Sequence, residues 1–166
     1  MSPEEREGAY SPSSCIGGDY TPFIAAYRDR SAEARACVAG WCEYRYGPAP
    51  SERLDFFPAA GDGGPAPLIV FIHGGYWQEL SKDDSSFSAP AWVDRGVAFA
   101  ALGYTLAPEA SLVEIVAECR RAVLWLYENA GDLGVDKRRV VVAGSSAGAH
   151  LAAMVAVPEW QEGTGL

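Results

Sequence analysis

The run Arg139-Val140-Val141-Val142-Ala143-Gly144-Ser145-Ser146-Ala147-Gly148, with the helix-forming segment Ala149–Val157 behind it, decides the fold. A short β-branched run reads as a strand, Gly-x-Ser-x-Gly as a sharp turn, and the alanine-rich segment as a helix. The glycines have a steric reason. A serine at the tip of such a turn occupies a strained backbone position, so its neighbours on either side must lack side chains. The turn lifts the Ser146 hydroxyl off the sheet edge at the start of a helix, where a nucleophile would stand.

A second segment points the same way. Pro67-Leu68-Ile69-Val70-Phe71-Ile72-His73 is an unbroken apolar run of the kind buried on both faces of a parallel sheet, and it leads straight into Gly74-Gly75-Tyr76-Trp77. Acyl transfer needs backbone N–H groups aimed at the oxygen that becomes negative in the tetrahedral intermediate. The residue after the nucleophile, Ala147, offers one such donor, and the glycine loop offers Gly74 and Gly75. His73 is expected to hydrogen-bond and brace that loop.

Three segments, His73–Gln78 (HGGYWQ), Gly103–Glu109 (GYTLAPE) and Gly144–Leu151 (GSSAGAHL), together resemble the kynurenine formamidases (arylformamidases) and, more broadly, the hormone-sensitive-lipase-like esterases. Tyr76-Trp77 after the two glycines favours the formamidase branch. The segment Arg45–Pro58 looks like that group's first strands, and the resemblance spans about residues 19 to 162. Ser145 stands where the family usually has His, at a position that is not catalytic. The resemblance implies an α/β-hydrolase fold, a mostly parallel sheet with flanking helices, and hydrolysis of N-formylkynurenine to kynurenine and formate. It implies neither cofactor nor metal. A carboxylic ester is the alternative substrate within the same chemistry; an inactive fragment or a binding module is the alternative from another class. Tyr76 and Trp77 are candidates for an aromatic wall, with ordinary core packing as the other reading. Tyr104, Pro108 and Glu109 would shape the floor of the substrate pocket.

The triad of this fold runs Ser, then Asp or Glu, then His. After Ser146 the one histidine is His150, one turn down the same helix and poorly placed to take the hydroxyl proton, while Glu159 and Glu162 lie too close to the turn to serve from a later strand. The chain is therefore expected to be the N-terminal portion of an α/β-hydrolase domain, ending after the nucleophile helix. Residues 1–18 are expected to form a loose tail and 19–166 the domain portion. Val140-Val141-Val142 would then present an unpaired apolar edge that favours self-association.

Composition limits the partners. With 22 acidic and 13 basic residues, the net charge of −9 opposes binding to a phosphate backbone. The apolar runs are too short for a membrane span. The acidic N-terminus is unlike a signal peptide, and Cys15, Cys37, Cys42 and Cys119 show no metal spacing; reduced thiols in a cytoplasmic protein are expected. Among the remaining elements, Thr21-Pro22 should open a helix reaching about Val38, with Thr21 as its cap. Two strands should flank Gly47–Pro50, and Ser86–Arg95 should be helical before a strand at Val97–Leu102. Leu112, Ile115, Val116, Cys119, Val123, Leu126 and Tyr127 mark one face of a long helix over Ser111–Ala130.

Overall fold

Strand-forming segments here are short and mostly apolar, and they pair into one sheet with helices on both faces. The computed structural model describes residues 1–61 and 63–162. Its strands are β1 (Cys42–Arg45), β2 (Arg53–Phe57), β3 (Ala66–Ile72), β4 (Ala98–Leu102) and β5 (Val135–Gly144). Its α-helices are α1 (Pro3–Tyr10), α2 (Thr21–Cys37), α3 (Ala89–Val93), α4 (Leu112–Glu128) and α5 (Ala147–Ala156). The order across the sheet is β1-β2-β4-β3-β5.

The sheet is mixed rather than mostly parallel: β3 pairs in parallel with β4 and β5, but β1–β2 and β2–β4 are antiparallel. The proline-bearing turn between β1 and β2 is too short for the crossover that parallel strands require. Alternation along β3 and β4 feeds two cores. Leu68, Val70, Ile72, Ala100 and Leu102 pack with Ile115, Cys119, Leu126 and Leu151 on one face. Phe57, Phe99 and Ala101 pack with Ala34, Ala89 and Val93 on the other, with Ile69 and Phe71 against them. Helix α4 starts where its capping box predicts: the Ser111 hydroxyl accepts from the Glu114 N–H, and the Glu114 carboxylate accepts from the Ser111 N–H.

Two helix boundaries differ from expectation, and residues 1–18 hold local structure: Ser2 and Glu5 form a capping box for α1, and a 3₁₀ turn spans Pro12–Ile16. Local hydrogen bonds suffice for that helix, which buries no residue. Helix α2 has Tyr20 rather than Thr21 at its N-cap position, without a side-chain cap, and the Thr21 N–H donates to the Asp19 carboxylate at 2.9 Å. The helix expected over Ser86–Arg95 shrinks to α3. Its first residues are diverted, since the Ser85 hydroxyl donates to the Ser81 carbonyl and the Ser86 hydroxyl to Asp55. Pro158–Trp160 forms a 3₁₀ turn, and residues 163–166 lie outside the described residues.

A buried ionic cluster joins α2, β2 and the segment after the glycine loop, and no motif announced it. Asp55 is fully buried and receives Lys82 Nζ at 3.0 Å, Arg35 at 3.1 Å and the Ser86 hydroxyl at 3.1 Å. Burial works against the Lys82 charge, but the hydrogen bonds it donates to Asp83, Glu43 and Asp55 outweigh it and raise its pKa to about 12. Among the described residues no helix is long and apolar enough to cross a membrane. Cys37 and Cys42 are exposed free thiols, and Cys119 is a buried one.

Two predictions concern this framework. Asp55→Ala removes the buried acceptor shared by Lys82, Arg35 and Ser86, leaving the two cations their bonds to Glu43 and Asp83, and should lower the unfolding free energy in urea by about 1.5–3 kcal/mol. Strand β5 is an edge, and Val141 on it is 57% exposed. Sedimentation velocity should show association that grows with concentration and falls in Val141→Lys, because a charge on an open edge discourages strand pairing.

Candidate active site

The candidate site lies where β3 and β5 end side by side. Ile72 and Gly144 are register partners, so the chain leaves both strands at the same level of the sheet. The turn into α5 puts Ser146 at the N-cap position with φ 53° and ψ −118°. A non-glycine residue holds that backbone only where its surroundings fix it. Gly148 supplies the fixing contact: a Cβ there would collide with the Ile72 carbonyl, and one on Gly144 would collide with the Gly148 backbone. The helix therefore starts pressed against the end of β3. The Ser145 N–H donates to the Ile72 carbonyl at 3.3 Å.

The glycine loop closes over this junction. A Cβ on Gly74 would lie 2.8 Å from the Ser145 carbonyl oxygen and 3.3 Å from Ser146 Cβ, so only glycine fits. Gly75 continues with φ +93°, and Tyr76, Trp77 and Leu80 are also left-handed, at 54°, 62° and 67°. Together with Ser146 these are the non-glycine residues of positive φ among the described residues, and all lie in the loop or the turn. The Gly75 carbonyl accepts from the Gln78 and Glu79 N–H groups at 2.9 Å, and the Trp77 carbonyl accepts from Ala107 N–H at 2.8 Å. Among the described residues, the N–H groups of Gly74 and Gly75 are given to no other protein group.

The aromatic residues divide. Tyr76 is 72% exposed and makes an edge contact with Trp77. Trp77 is half-buried against the larger core and meets the exposed His150 edge-on, with ring centroids 5.4 Å apart. Tyr104, expected at the pocket floor, is 3% exposed, and its hydroxyl donates to the carbonyls of His73 and Gly74 at 3.2 and 3.4 Å. Buried beneath the loop, its hydroxyl faces main-chain carbonyls. His73 is buried, stacks on Tyr104 at 4.2 Å, and donates from Nδ1 to the Gly74 carbonyl at 2.9 Å. Burial pushes its pKa down to about 4, against the opposing bond to Gly74, so the ring is neutral at pH 7. Neither histidine is hydrogen-bonded to the Ser146 hydroxyl among the described residues.

A mixed sheet between helical layers, with a serine on a strained strand-to-helix turn beside a glycine loop, defines an α/β-hydrolase fold. The solved structure of a putative thioesterase from Silicibacter sp. tm1040 superposes with a TM-score of 0.79 at 29% identity, covering 91% of this chain and 55% of that one. A bacterial heroin esterase superposes with a TM-score of 0.72 at 26% identity, covering 94% and 49%. The chain belongs to the BD-FAE family, whose sequence profile matches residues 54–163. It is also 34% identical to a kynurenine formamidase of Danio rerio over 167 aligned positions, which take in 98% of this chain and 56% of that protein. The chain thus spans about half the length of such relatives.

Burial of His73 has a measurable consequence. Its folded pKa of about 4 lies below the ordinary histidine value, so between about pH 6.5 and pH 4 the unfolded chain takes up a proton that the folded one refuses. The stabilisation from the neutral ring is complete above about pH 6.5 and is lost as pH falls to about 4, at most about 3 kcal/mol. Urea unfolding at stepped pH should show this component in the wild type and its loss in His73→Asn.

Proposed function

We propose that this chain carries the nucleophile and the oxyanion donors of a serine hydrolase of the arylformamidase type. The observation that carries the reading is Ser146 on its strained turn with Gly74 packed against it. Ser146 Oγ attacks the formyl carbon of an aryl formamide, and its proton passes to a base. The carbonyl oxygen takes the negative charge and faces the N–H groups of Gly74, Gly75 and Ala147. Collapse of the intermediate expels the arylamine, which leaves with a proton, and water then cleaves the formyl-enzyme to formate. Losing one such donor costs about 3–4 kcal/mol of transition-state stabilisation in comparable sites.

N-formylkynurenine is the substrate we favour, supported by the relative named kynurenine formamidase and by Tyr76 and Trp77 beside the loop. The relative named heroin esterase supports carboxylic ester hydrolysis as the second reading, by the same steps with an alcohol leaving. We assign the base and its carboxylate partner to sequence outside these 166 residues, since His73 is buried in the loop support and His150 packs on Trp77.

The purified chain should become phosphonylated at Ser146 by an aryl fluorophosphonate, and Ser146→Ala should not. Steady turnover of an aryl formamide or ester should stay low in both. Failure of Ser146 to react would overturn the nucleophile, and rapid turnover lost in Ser146→Ala would place a base within these residues.

A further inference from the structure

Glycine pairs leave a loop free to rotate its peptide planes, and this loop depends on the direction of two of them. In a trans peptide the C=O and the following N–H share a plane and point opposite ways. The His73 carbonyl therefore sets the Gly74 N–H, and the Gly74 carbonyl sets the Gly75 N–H. With no Cβ on either glycine, nothing local opposes a flip that would turn a donor away from Ser146. Both carbonyls are instead held from below. The Tyr104 hydroxyl lies 3.2 Å from the His73 oxygen and 3.4 Å from the Gly74 oxygen, lengths that suit one hydrogen shared between two acceptors. The His73 ring adds a second donor to the Gly74 oxygen.

Tyr104 is itself held on both sides. Before it, the Gly103 carbonyl accepts the Tyr46 hydroxyl at 2.5 Å, and the Gly103 N–H donates to the Arg53 carbonyl at 2.9 Å. After it, the Thr105 N–H is received by the buried Glu118 carboxylate at 2.7 Å. Its ring lies within 6° of parallel to the His73 ring. A side chain anchored this firmly fixes what it touches.

We propose that Tyr104 is a positioning residue whose hydroxyl, held between the His73 and Gly74 carbonyls, sets the direction of the Gly74 and Gly75 N–H groups as oxyanion donors. The proposal rests on the acyl-transfer reading of Ser146. Each carbonyl that accepts a hydrogen bond also polarises its own peptide, which makes the N–H on the other side of that plane a stronger donor. Tyr104 thus acts on the reacting oxygen through the backbone, without touching it.

The test uses the full chain, ¹⁵N-labelled, with Tyr104→Phe, Tyr104 replaced by 3-fluorotyrosine, and Ile115→Val as a core variant in α4. In Tyr104→Phe the Gly74 and Gly75 amide resonances should move, because the peptide planes that carry these N–H groups lose the bond that holds their carbonyls. Ile115→Val should leave both amides in place. The fluorinated ring donates more strongly at nearly the same shape and should move the two resonances opposite to phenylalanine; this arm decides if Tyr104→Phe fails to fold. Fluorophosphonate modification of Ser146 should slow about tenfold in Tyr104→Phe. Unmoved amides, or equal movement in Ile115→Val, would overturn the proposal and leave Tyr104 a core ring. If the amides respond but Ser146 never reacts in the wild type, the acyl-transfer reading falls and the anchoring of the loop by Tyr104 stands.

Discussion

Gly148 against the carbonyls of Ile72 and His73 is the contact on which the rest of the site depends. Any side chain at that position would push α5 away from the end of β3. The helix would retreat, Ser146 would relax from φ 53°, and the glycine loop would lose the surface on which Gly74 rests. A single close approach of backbone to backbone converts a pair of neighbouring strands into a junction with chemistry at its tip. Interiors pack too densely to absorb even one added methyl there without a shift of whole elements.

Around that junction the molecule uses polar burial to hold segments that hydrophobic packing alone would leave loose. The Asp55 cluster pins the stretch after the glycine loop to β2 and α2. Glu52, also buried, receives the Ala49 N–H and the Arg121 side chain, tying the β1–β2 turn to α4. Glu118 does the same for Thr105. Asp55 and Glu52 each accept from groups of more than one segment, so displacing one of these segments costs a buried carboxylate a partner. Such contacts add modest net stability but penalise alternatives heavily.

Much of the fold was legible because periodicity and turn chemistry are local. The strands 68–72 and 98–102, the apolar face of the helix after Ser111 and the strand–turn–helix around Ser146 could each be read from nearby residues. The antiparallel half of the sheet was not, because strand order depends on which neighbour a short hairpin finds. The small α1 was missed for the opposite reason: composition argued against a core, and the helix needs none. For the site, glycines at 74, 144 and 148 signalled close approach, but not what approached them. The burial of Tyr104 and the neutral state of His73 arise from β4 packing beside β3, a relation over thirty residues that no local pattern encodes.

Main-chain donors have a consequence for how such a half-site diversifies. On the proposed reading, the loop answers only to an oxygen that gains charge and is blind to whatever hangs on the far side of the carbonyl. Formamide nitrogen, alcohol oxygen and thiol sulfur look alike to a pair of peptide N–H groups. Discrimination then falls to side chains at the rim, where Tyr76 stands exposed beside Trp77. On that reading those positions can change without disturbing the reaction itself.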